Sequence, residues 1–149
     1  MRSVRDESGK RYLLLKQSGE SSRVRDPETG EERYVENDRL EPADGESPLV
    51  TAARAVPESV RTLTTAVHDE RALGLLVDVH ARGPLDVRTL LASYDLCESD
   101  LHGLLGEFRA AGLLDETTVA GERGYETTAT ADEALAALGV TNEGDDQSA

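Results

Sequence analysis

The sequence predicts an α+β chain in which an N-terminal antiparallel β-meander precedes a three-helix unit closed by a β-hairpin. Three observations carry that expectation. Short apolar segments alternate with turn signals from Arg2 to Val35, leucines recur at helical spacing from Asp69 to Ala111, and a β-branched, glycine-punctuated stretch runs from Leu113 to Thr128.

In the meander, Ser8-Gly9, Ser18-Gly19-Glu20 and Asp26-Pro27-Glu28-Thr29-Gly30 supply the turns. Strands are expected at Ser3 to Asp6, Tyr12 to Gln17, Ser22 to Arg25 and Glu32 to Glu36, with Tyr12, Leu14, Val24 and Tyr34 on the covered side. So small a sheet buries little alone, and its apolar face needs another domain, a partner chain or closure on itself as a very small open barrel. Residues 1–41 form this meander. Asn37 to Pro48 is acidic, and Pro42, Gly45 and Pro48 discourage regular structure, so residues 42–56 read as a linker with a short helix from Leu49 to Val56.

Residues 57–141 read as one further domain. Pro57 suits the first position of a helix to about His68, with Val60, Leu63 and Val67 inward. Asp69 caps the next helix, in which Leu73, Leu76, Val77 and His80 recur at helical spacing until Gly83-Pro84. Leu85 is a short strand, Asp86 caps a helix carrying Val87, Leu90 and Leu91 to about Tyr94, and Asp95-Leu96 turns the chain. A third helix from Glu98 to Ala111 carries the stripe Leu101, Leu104, Leu105 and Phe108 and stops at Gly112. Leu113 to Val119 and Tyr125 to Thr128 form a hairpin about Ala120 to Gly124. A last helix begins at Thr130 or Asp132 with Ala134, Leu135 and Leu138 inward, and the polar tail 142–149 is expected to be disordered.

Composition narrows the chemistry. Of 149 residues 38% are hydrophobic but only 3% aromatic, with no tryptophan, so the core is built of Leu, Val and Ala and a large substrate pocket is not expected. The net charge is −14, and only Lys10 and Lys16 among sixteen cations are lysines. That combination suits a halophilic protein. At molar salt the Debye length is only ~3 Å, so an acidic background hardly repels DNA beyond contact distance; a mesophilic acidic protein is the alternative. Cys97 is the single cysteine, which excludes an intrachain disulfide framework and a multi-cysteine zinc site and suits a reducing cytoplasm. The absence of a signal core or of an apolar run of roughly 20 residues makes a soluble, cytoplasmic chain without a membrane partner the expectation.

The segment LLASYDLCESDLHGLLGEFRAAGLL from Leu90, followed by DETTVAGERGYETT, resembles the core of winged helix-turn-helix transcriptional regulators from Asp69 to about Leu138. Its specific part is a helix ending Ala-Ala-Gly-Leu-Leu that closes directly into a Gly-tipped hairpin with an outgoing Gly-Tyr. The whole chain also resembles small haloarchaeal helix-turn-helix proteins. The resemblance implies that the third helix enters the major groove and that the wing, Gly121 to Gly124, touches phosphate or the minor groove.

Opposite the leucine stripe, the third helix presents Ser99, Gly103, Gly106 and Ala110, flanked by His102 and Arg109 on one side and Asp100 and Glu107 on the other. None of the central four reaches a base edge as Arg, Lys, Asn or Gln does. The candidate DNA contacts are therefore Arg88, Ser99, His102, Arg109 and Arg123, although an arginine in such a place is more often merely a solvated cation. Ser99, Gly103, Gly106 and Ala110 are also the candidate partner contacts, for a second copy of the chain or the meander, because glycine within a helix costs roughly 0.5 to 1 kcal/mol and close approach would account for it; two tolerated glycines on a solvated face are the alternative. Nine of the sixteen cations lie before Glu41, interleaved with acids, and suit either phosphate contact or edge-strand protection.

His68, His80 and His102 fall on different helices without a metal-ligand motif. Cys97 precedes the third helix where a capping serine often stands, leaving a redox switch conceivable. No phosphate loop, nucleophile elbow or dinucleotide fingerprint is present, so neither catalysis nor a cofactor is expected. The expectation is a dimeric DNA-binding transcriptional regulator, with a winged-helix protein–protein interaction module that reads no sequence as the alternative.

Overall fold

A computed structural model describes residues 1–141. The tail expected to be disordered, 142–149, lies outside the described residues. The chain forms two compact units that divide after Pro57.

The first unit contains β1 (Arg2–Arg5), β2 (Arg11–Gln17), β3 (Ser21–Arg25), β4 (Glu32–Glu36), a 3-10 turn (Asn37–Arg39), β5 (Glu41–Pro42) and α1 (Pro48–Ala53). The strands pair antiparallel in the order β4-β3-β2-β1-β5. The two edge strands are thus consecutive in sequence. Flat, five strands would hold their edges ~19 Å apart, whereas five extended residues reach at most ~17 Å, and a 3-10 turn shortens that reach further. The sheet therefore curves, bringing its unpaired edges β4 and β5 closer than a flat sheet would hold them.

Val4, Tyr12, Leu14 and Val24, with Val35 and Leu40 against them, fill one face of this sheet. On the other face α1 lies over β1 and β2, where Leu13 is buried and Ser3 Oγ meets Thr51 Oγ1 at 2.6 Å. Ser47 caps α1 through the Leu49 amide, with Pro48 at the first position. The segment expected as linker thus carries β5 and α1. Pro42 is tolerated because β5 is an edge strand.

Tyr34 is a correction: it is 67% exposed, not covered. The register pairs Val24 with Arg33 and Arg23 with Tyr34, and cross-strand partners share a face, so Tyr34 faces outward with Arg23. Arg33 takes the inner register and donates to the Tyr12 hydroxyl at 2.6 Å.

The second unit contains α2 (Glu58–Ala66), α3 (Glu70–Arg82), β6 (Leu85–Asp86), α4 (Val87–Ser93), α5 (Glu98–Ala110), β7 (Leu114–Val119), β8 (Glu122–Thr127) and α6 (Ala129–Ala137). Its three-stranded sheet runs β6-β8-β7, and with α3, α4 and α5 this is a winged-helix architecture. Leu76, Val79, Leu90, Leu101, Leu105 and Phe108 are at its buried centre. Asp69, Asp86 and Thr128 cap α3, α4 and α6 through the amides of Ala72, Thr89 and Ala131.

Two helical phases shift from expectation. In α3 the buried residues are Ala72, Leu75, Leu76 and Val79, while Leu73 and Val77 pack at the margin; the helix is apolar over so wide an arc that spacing alone does not fix its centre. At the end of α6, Leu138 is 52% exposed. Gly139 takes φ 88° and the Val140 amide reaches the Leu135 carbonyl at 2.9 Å, a left-handed stop that packs Val140 where Leu138 was expected. The same device ends α5, with Gly112 at φ 78° and the Leu113 amide on the Phe108 carbonyl at 2.8 Å.

The hairpin turn is shorter than expected. Ala120 and Gly121 alone form it, at φ 50° and 81°, the paired positive angles of a tight two-residue hairpin. Gly124 then belongs to β8, opposite Asp86 of β6, where an added Cβ would lie 2.8 Å from the Leu85 carbonyl oxygen and from Val119 Cγ2. That glycine admits β6 to the sheet. Among the described residues no helix is long and apolar enough to cross a membrane.

Candidate nucleic-acid interface

The outer face of α5 is open. Ser99, His102, Gly103, Gly106, Arg109 and Ala110 are all exposed, and a Cβ at Gly103 or Gly106 would find no heavy atom within 4 Å. At the start of the helix Cys97 occupies the capping position without a side-chain cap bond, its Sγ 3.3 Å from Ser99 Oγ. His102 Nε2 faces Glu98 at 3.6 Å, one turn back.

The three candidate arginines come from three elements and converge on the wing. Arg109, in the last turn of α5, reaches Glu116 of β7 at 3.1 Å. Glu116 also receives Arg123 of β8 at 2.7 Å. Arg123 is therefore a strand residue paired across from Thr118 rather than a turn residue, and its guanidinium lies 5.9 Å from the Tyr125 ring centroid. Arg88, in the first turn of α4, extends to Glu122 at 3.4 Å. Asp86 fixes that turn by accepting from the Thr89 hydroxyl at 2.6 Å and amide at 3.0 Å, bonds that hold its carboxyl below the usual carboxylate range.

Glu116 and Glu122 were not among the residues the sequence singled out. They matter only once the two-residue turn sets the register. Glu116 then faces Tyr125 across the ladder, and Arg123, two residues before Tyr125, becomes its diagonal neighbour on the same face.

A family of unknown function, DUF7346, matches residues 1–139. The chain belongs to that family. The span shared with DUF7346 covers the five-stranded sheet and the winged helix, including Arg88, Arg109, Glu116, Glu122 and Arg123. The crystal structure of the transcriptional regulator HlyU from Vibrio vulnificus CMCP6 is similar at a TM-score of 0.47 and 22% identity, over 61% of this chain and 96% of that chain. No curated protein matches the chain.

Elsewhere in the second unit two polar side-chain pairs join separate elements. His80 Nδ1 meets Asp132 Oδ1 at 2.8 Å, joining α3 to α6, and Tyr94 bonds Asp78. Among the described residues no three His, Cys, Asp or Glu side chains converge as a metal site. A cavity of 430 Å³ opens between α3 and the α4–α5 turn, lined by Arg71, Gly74, Leu75, Tyr94, Asp95 and Leu96.

Proposed function

We propose that this chain is a DNA-binding transcriptional regulator of the winged-helix type, cytoplasmic and dimeric, acting by occupancy rather than by catalysis. The reading rests on the convergence of Arg88, Arg109 and Arg123 from α4, α5 and β8 beside an uncovered α5. Placed in a major groove, α5 would set Arg109 near one phosphate strand while Arg123 of the wing and Arg88 flank it. His102 is the long polar side chain beside the outer face of α5, and Ser99 the short one. Base readout through so few groups is sparse, so most of the discrimination would come from groove shape and backbone register.

A second reading is favoured by the open space over Gly103 and Gly106. With Ser99 and Ala110 these glycines make a surface on which another backbone can come close, so a second copy of the chain would dock there and the domain would read no sequence. Incubation with genomic fragments at high KCl, followed by sequencing of the bound fraction, separates the two. An enriched motif supports the regulator, and its loss in Arg109→Ala and Arg123→Ala assigns it to this face. Uniform recovery without a motif supports the interaction module instead.

A further inference from the structure

We infer that the outer face of the first unit is a binding platform for single-stranded nucleic acid, centred on Tyr34. This inference rests on observations independent of α5 and the wing. Among the described residues Tyr34 is the sole exposed aromatic side chain, since Tyr12, Phe108 and Tyr125 are buried and Tyr94 is half-buried. It stands in a cross-strand row: Lys16 of β2 pairs with Arg23 of β3, and Arg23 with Tyr34 of β4. Cross-strand partners share a face, and Arg25, two residues beyond Arg23, lies on it as well.

The pairing of the cations is what distinguishes this face. Seven of the nine cations before Glu41 have side-chain partners: Arg2 with Gln17, Arg33 with Tyr12, and five in ion pairs. The two without a partner among the described residues are Lys16, at the other end of Tyr34's row, and Arg25, diagonal to Tyr34 across β3 and β4. Glu32 pairs with Arg23, and Glu36, two residues beyond Tyr34 on the same face, stands opposite Ser21. An exposed ring that shares its face with two unpaired cations matches what a single strand presents: bases with free π-faces, and phosphates close beside them. Edge protection does not explain the ring. An edge strand is guarded by charge, and a tyrosine there adds adhesive surface. A duplex fits less well, because its bases are already stacked.

The test uses the full chain and a fluorescent oligothymidylate of about 15 nucleotides, with a duplex of equal length as comparator, at KCl concentrations where circular dichroism shows the chain folded. Wild type is expected to bind the single strand, Tyr34→Phe to match it, and Tyr34→Ala to bind about tenfold more weakly. Lys16→Ala with Arg25→Ala is expected to flatten the dependence of log affinity on log salt by roughly 1.4, at about 0.7 per phosphate contact. Because Tyr34 is exposed, its alanine variant should melt with wild type, and Arg109→Ala should leave single-strand binding intact. Absence of single-strand binding by wild type, or equal binding by Tyr34→Ala, overturns the proposal.

Discussion

Replacing Glu116 with glutamine removes one charge and releases two arginines, and duplex affinity should rise as a result. Arg109 and Arg123 are 52% and 55% exposed and Glu116 is 36% exposed, so solvent screens both pairs. Each then contributes only ~0.2 to 1 kcal/mol. Both must loosen before the guanidinium groups can turn to phosphate. Their removal in advance is therefore worth about 0.4 to 2 kcal/mol, or roughly 2- to 30-fold in affinity. The salt dependence should steepen toward ~0.9 for each arginine freed. Fluorescence anisotropy with an enriched duplex across a KCl series measures both quantities. The decisive comparison is a double-mutant cycle, because Glu116→Gln should gain far less once Arg109 and Arg123 are both alanine. Unchanged or weakened binding by Glu116→Gln, or a gain that survives loss of both arginines, would refute the reasoning.

Other expectations bear on the fold that carries this face. Gly124→Ala should destabilise the chain by about 1 to 3 kcal/mol, since its Cβ meets a backbone oxygen of β6 that cannot move aside without breaking the strand pairing; thermal denaturation reads this directly. Gly103→Ala should instead raise the stability of the monomer by roughly 0.5 to 1 kcal/mol, because the new methyl enters open space on a helix. Gly103→Arg with Gly106→Arg should convert a dimer to monomer in light scattering if that face docks a second copy, and unchanged mass and melting would exclude the docking. Asp86, held below its ordinary pKa by Thr89, stabilises the fold above about pH 4 and loses that contribution as pH falls through its folded value. Asp86→Asn keeps an acceptor for the cap, so acid unfolding curves should show a shallower decline while stability at neutral pH changes little.

The helical framework was legible in the sequence because its signals are local. Asp69 and Asp86 announce caps, Leu101, Leu105 and Phe108 mark a single stripe, and Gly112 stops α5 through a backbone angle that glycine favours. The candidate arginines were found the same way, as cations on named helices and a hairpin. Their partners were not. Glu116 and Glu122 become neighbours of Arg123 and Arg88 only through the register set by Ala120, a non-glycine residue in the left-handed region that sequence spacing does not suggest. Tyr34 was misplaced for a related reason: alternation in Glu32–Glu36 allows either face inward, and the choice falls to Arg33, which bonds Tyr12. β5 is two residues long and contains a proline, so only its pairing with β1 identifies it.

Thr128 joins three elements at one point. Its hydroxyl donates to the Gly112 carbonyl at 2.6 Å and accepts from the Ala131 amide at 3.3 Å, and its own amide donates to Leu113 at 3.1 Å. The C-terminal end of α5, the exit of the wing and the first turn of α6 are thereby fastened together, and α6 packs on α2. One side chain thus anchors the end of the exposed helix, the wing and, through α6, the α2 helix at the far side of the unit, so loss of the Thr128 hydroxyl would loosen three junctions at once.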